Sequence, residues 1–214
     1  MLVKKAKEEI DAKMLLLTTA EKLFAEHGFE AVTTRMLSNE SGVNVAMIAY
    51  YFGSKEKLFE AIFEEHIPKT RELLIGFLKL NVTSWEKLSL AIDSYVDKMF
   101  TNVAFTKMIY RELSLQQRPE QNNRIVESIM LNWDIMHKII VEGQKNGNFK
   151  KEIDVTMTLA STFGTILQIV NTPNIAAKAM KKKSVEDVFS NATRLRVKKH
   201  LKQMIGAHLL VDNG

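Results

Sequence analysis

Residues 44–56 read Asn-Val-Ala-Met-Ile-Ala-Tyr-Tyr-Phe-Gly-Ser-Lys-Glu. Consecutive helical side chains point about 100° apart, so Tyr50 and Tyr51 cannot both enter one core. At least one phenol faces water or a partner. Gly53 breaks the segment, Ser54 can cap a new helix, and Lys55 opens it. A helix start favours anions, and a phosphate would accept from both the terminal amides and the lysine. Thr33, Thr34 and Arg35 stand at another predicted helix start. Asn44 can cap or donate, and Val45 and Ala46 could touch thymine methyls. The set Thr33, Thr34, Arg35, Asn44, Val45, Ala46, Tyr50, Tyr51 and Lys55 therefore suits a nucleic acid, through hydrogen bonds to its backbone and apolar contact with its bases. Lys4, Lys5 and Lys7 could add a minor-groove arm.

These residues need short helices to hold them. Ile10, Met14, Leu17 and Phe24 form the stripe of an amphipathic helix over about 10–27, stopped by Gly28. Thr33 caps a second helix to Ser41, and Gly42 ends it. A third covers about 45–51, and a fourth starts after Ser54, with Pro68 expected to end or kink it. Short helix, glycine turn, short helix is the helix-turn-helix layout. Leu37, Val43, Ile48, Phe52 and Leu58 are the expected core of that layer.

From Thr83 onward the pattern predicts helices at about 84–101, 103–116, 119–145, 155–171 and 185–210. Met99, Phe100, Phe105, Met108, Tyr110, Trp133, Met136 and Phe163 are the large side chains that could line a small-molecule pocket there. In the last two helices, Leu159, Phe163, Ile166, Val170, Val188, Ala192, Leu195 and Ile205 have the spacing of a packing or dimer face.

Composition narrows the class. With 214 residues, 46% of them apolar and only three prolines, the chain can build a large helical core. The absence of cysteine rules out disulfides and thiolate metal sites and fits a reducing cytoplasm. Val155 to Ala177 carries no charge, but its threonines, serines and asparagines make it too polar for a bilayer helix. The histidines at 27, 66, 137, 200 and 208 show no metal-ligand spacing, and no phosphate loop or nucleophile elbow occurs. An enzyme is not expected, nor any cofactor or metal. The net charge of +5 is uneven: residues 1–66 have 8 Lys/Arg against 11 Asp/Glu, and residues 178–202 have 9 against 2. Binding at the N-terminal end must therefore come from local placement of charge.

Three segments together resemble the TetR/AcrR family of transcriptional regulators. They are Ala20-Glu21-Lys22-Leu23-Phe24-Ala25-Glu26-His27-Gly28-Phe29-Glu30-Ala31-Val32-Thr33-Thr34-Arg35, Ser41-Gly42-Val43, and Ile48-Ala49-Tyr50-Tyr51-Phe52-Gly53-Ser54-Lys55-Glu56-Lys57-Leu58-Phe59. The resemblance implies an all-α protein of about nine helices: a three-helix DNA-binding domain at 1–53, a linking helix at 54–80, and a larger ligand-binding and dimerisation bundle at 81–214. It implies a homodimer on a double-stranded operator, released by a small-molecule effector, with no membrane partner. An activator, or a helical ligand-binding dimer with little specific DNA binding, is the alternative. Many members carry Lys, Gly and Tyr where this chain has Val45, Ala46 and Ala49. Without basic or amide readers in that helix, discrimination shifts toward phosphate positioning and DNA shape.

Overall fold

A computed structural model describes residues 2–211, with side chains from Ile10 onward. The side chains of Lys4, Lys5 and Lys7 lie outside the described residues. Among the described residues there are ten α-helices and one 3-10 turn. They are α1 (Leu2–His27), α2 (Thr34–Ser41), α3 (Ala46–Phe52), α4 (Lys55–Leu78), α5 (Ser84–Thr101), α6 (Val103–Leu115), α7 (Pro119–Lys145), α8 (Val155–Asn171), α9 (Pro173–Ala179), the 3-10 turn (Glu186–Phe189) and α10 (Asn191–Leu209). No described helix is long and apolar enough to cross a membrane.

Four expectations are corrected. The first helix begins well before Ile10. Pro68 does not end α4, which runs on to Leu78; the helix forgoes one amide bond while Ile62, Phe63 and Ile67 before the proline and Leu74 after it are buried. The loop expected after Asn171 contains α9, started by Pro173 at a position where its missing N–H costs nothing. The final helix is split, because Ser190 is extended and caps α10 by accepting from the Thr193 amide.

The chain forms two compact units. The first combines the chain up to Pro68 with Ala104–Val126. Its core holds Leu16, Ala20, Leu37, Ile48, Leu58 and Ile62. Phe24, Phe29, Phe59 and Phe63 form a chain of ring contacts at 4.9–5.5 Å, and Phe63 meets Phe105 at 6.0 Å. Of the expected core residues, Val43 and Phe52 are only half-buried. Phe52 lies near the surface beneath the Lys13 ammonium, 5.6 Å from the ring centroid.

The second unit combines Lys69–Val103 with the chain from Glu127. Helix α8 packs on α5 and α10. Asp97 pairs with Lys198 at 2.6 Å, and Asp93 with Lys202 at 2.8 Å, tying α5 to α10. Leu159, Phe163, Ile166, Val170, Val188 and Ile205 are buried in this unit's own core and offer no surface to a second copy. A helix as apolar as α8 is claimed on several sides by its own chain. Of that set only Ala192 and Leu195 face outward. Thr83 and Glu86 form a reciprocal capping box at the start of α5. Thr83→Ala should cost about 1 kcal/mol, read as a lower urea midpoint at unchanged slope.

Candidate nucleic-acid interface

Helices α2 and α3 are held apart by a tight turn at Gly42, whose φ of +69° is left-handed and favours glycine. The Ser38 hydroxyl donates to the Val43 carbonyl at 2.8 Å and braces that turn from inside. Thr33 caps α2, its hydroxyl accepting from the Met36 amide at 3.2 Å. Just before α3, the Asn44 side-chain oxygen accepts from the Ala46 amide at 2.9 Å. Both residues hold helix starts that they also leave exposed. Thr34 is half-buried and Arg35 is exposed.

Only Ile48 of α3 is buried; Ala46, Ala49 and Tyr50 are exposed, as is Val45 just before them. Tyr50 is 69% exposed. Its ring meets that of Tyr51 edge-on at 5.1 Å, and Tyr51 in turn meets Phe52. Tyr51 is half-buried. The tyrosine pair therefore divides as helical geometry requires, one phenol outward and one partly inward.

Lys55 has a different setting from the one its position suggests. Its ammonium donates to the Phe29 carbonyl at 3.0 Å and to the Val32 carbonyl at 2.9 Å. It also lies 4.1 Å from the centroid of the Phe29 ring. The lysine thus closes the turn between α1 and α2, directly before the Thr33 cap. The start of α4 is already served from within the protein. The Ser54 hydroxyl accepts from the Lys57 amide, and the Glu56 carboxyl is held below its usual range by its own backbone amide and then by Ser54. An ionised carboxylate beside Lys55 disfavours a phosphate at that helix end.

The residues expected to line a ligand pocket fall in different units. Phe105, Met108 and Tyr110 belong to the first unit, where burial pushes the Tyr110 phenol pKa up. Met99, Phe100, Trp133, Met136 and Phe163 belong to the second. There Phe163 touches Tyr95 at 4.7 Å and Trp133 at 5.5 Å.

Sequence reasoning missed the partners of the turn between α1 and α2. Arg118 at the α6–α7 junction stacks on Phe29, 4.0 Å from the centroid, a second cation on the ring that Lys55 also meets. Its guanidinium also pairs with Glu112, and with Glu30 at 2.5 Å. Glu30 and Arg118 are 88 positions apart, so no local pattern links them.

The comparisons agree with this geometry. Residues 16–62 match the family described as bacterial regulatory proteins, tetR family, and residues 59–198 match the YsiA-like protein, C-terminal region. The fatty acid metabolism regulator protein of Bacillus subtilis is 27% identical over 162 residues, 74% of this chain and 81% of that protein. The HTH-type transcriptional repressor NicS of Pseudomonas putida is 30% identical over 147 residues, 66% of this chain and 67% of the repressor. The crystal structure of FadR from Bacillus subtilis in complex with stearoyl-CoA shares the fold, with a TM-score of 0.67 at 22% identity over 90% of this chain and 96% of that one. Helix-turn-helix geometry, two family matches that together run through most of the chain, and repressor relatives lead to one conclusion: the chain belongs to the tetR family of transcriptional regulators.

Proposed function

We propose that this protein is a homodimeric repressor that reads an operator through α2 and α3 and leaves it when a small-molecule effector binds. The exposure of Val45, Ala46, Ala49 and Tyr50 carries this reading. An apolar helix face that no core claims suits thymine methyls and sugar edges, with Tyr50, Thr33 and Arg35 donating to phosphates. Two such helices, one per protomer, fit half-sites roughly 34–36 Å apart. The outward residues Met157, Ala160, Gly164, Ala192 and Leu195 on α8 and α10 supply a surface of small and apolar groups for the second copy. The effector class to test first is a long-chain acyl thioester. One relative is named a fatty acid metabolism regulator, and one solved structure of the same fold holds stearoyl-CoA.

The test is fluorescence anisotropy with labelled duplex from upstream of the protein's own gene, against excess unrelated duplex, across a salt series. Saturable binding that survives competitor and weakens steeply with salt is expected. Tyr50→Ala should reduce affinity about tenfold on all sequences, the worth of one lost phosphate bond. Stearoyl-CoA should weaken operator binding by roughly 5–150-fold and change the emission of Trp133, which lies against Phe163. No binding to either duplex at low salt would leave a ligand-binding dimer as the better reading. Binding that stearoyl-CoA leaves unchanged would remove the acyl thioester class.

A further inference from the structure

We infer that Arg118 is a positioning residue for DNA binding: from the α6–α7 junction it sets the turn that carries α2. This rests on the DNA-binding reading above and adds a residue far from α2 and α3. Two cations lie against the Phe29 ring, Lys55 at 4.1 Å and Arg118 at 4.0 Å from its centroid. Lys55 fixes the Phe29 and Val32 carbonyls. Arg118 binds Glu30 of the same turn and the buried carboxylate of Glu112 in α6. Thr33, the cap of α2, follows Val32 immediately, so a shift of the turn moves the start of α2. All these groups lie in one compact unit.

A cleft of about 420 Å³ opens beside Phe29 and Arg118, lined also by Gly28, Glu30, Arg111 and Leu115 among others. Lys55 holds the turn through its carbonyls, and Arg118 holds it through Glu30.

Charge gives the inference a sign. Glu30 is an exposed acid in the DNA-binding unit, with 71% of its side chain accessible. Electrostatics alone predicts that Glu30→Ala tightens DNA binding, because one negative charge is removed. The positioning role predicts the reverse, because the turn loses its tie to Arg118. The experiment measures operator affinity of wild type, Glu30→Ala, Arg118→Met and the double variant. The probe is a duplex that wild type selects from a random library, and folded fraction is followed by circular dichroism. Expected results are a roughly threefold weakening for Glu30→Ala and roughly tenfold for Arg118→Met, with the double variant no weaker than Arg118→Met alone. Arg118→Met also strands Glu112, so it alone can lose affinity through unfolding. Glu30→Ala leaves that buried pair intact and decides the matter. Tighter or unchanged operator binding by Glu30→Ala, in a protein that binds normally otherwise, overturns the role of Arg118. Failure of wild type to select any duplex overturns the DNA-binding reading, and the positioning role with it.

Discussion

Lys55→Met should lower the unfolding temperature by roughly 6–12 °C, before any effect on DNA is considered. The substitution keeps the stem and removes the charge. It strands two carbonyls, those of Phe29 and Val32, whose residues are 8% and 0% exposed. Each orphaned buried group costs about 1–3 kcal/mol, and the cation over the Phe29 ring is lost as well. Taken at the low end of each range the sum is about 3 kcal/mol, and in a chain of this size each kilocalorie is worth about 2–4 °C. Differential scanning fluorimetry reads the shift directly. An unchanged melting temperature together with lost DNA affinity would mean that the third ammonium hydrogen bonds to phosphate and that the two carbonyl contacts contribute little. The family resemblance points to DNA for this lysine; its geometry points first to the turn.

The second large effect lies in the other unit. A methyl group built on Gly143 would lie 2.2, 2.4 and 2.8 Å from carbons of the Phe149 ring. That ring is 1% exposed, and the Phe149 amide donates to the Gly143 carbonyl at 3.0 Å, so neither partner can step aside alone. In an ordinary helix interior Gly→Ala stabilises by about 0.5–1 kcal/mol. Gly143→Ala should instead destabilise by about 2–4 kcal/mol, because overpacking forces the ring off its site. Gly76→Ala in α4, with nothing within 4 Å of the added carbon, is the matched control and should stabilise. Urea unfolding of both variants compares the signs, and a stabilised Gly143→Ala would show that Phe149 has room to move.

The fold was legible where local physics fixes it. Apolar spacing located α5, α7 and α8, and Gly28, Gly42 and Gly53 marked the ends of α1, α2 and α3, because a helix ends where a glycine or a cap lets its backbone leave. What could not be read were the tertiary choices. Pro68 is a helix breaker by propensity, yet α4 continues through it. Lys55 looks like a phosphate ligand from its position, and only the fold brings the Phe29 and Val32 carbonyls to it. The apolar stripes of α8 and α10 announced burial but not against what, and they bury themselves within the chain's own core. Hydrophobic spacing reports that a face is covered, and the identity of the cover depends on residues distant in the chain.

The first compact unit is assembled from two stretches of sequence, one ending at Pro68 and one running from Ala104 to Val126. The reading head is therefore not a cassette. A fragment cut after Pro68 would expose Phe59, Phe63 and Phe29 where Phe105, Met108 and Arg118 belong, and would be prone to aggregation. A hybrid regulator that grafts this head onto another sensing body must carry both stretches, or replace the acceptor's α6 contacts with matched ones. A substitution within 104–126 therefore acts on the unit that holds α2 and α3, although it lies far from them in the sequence.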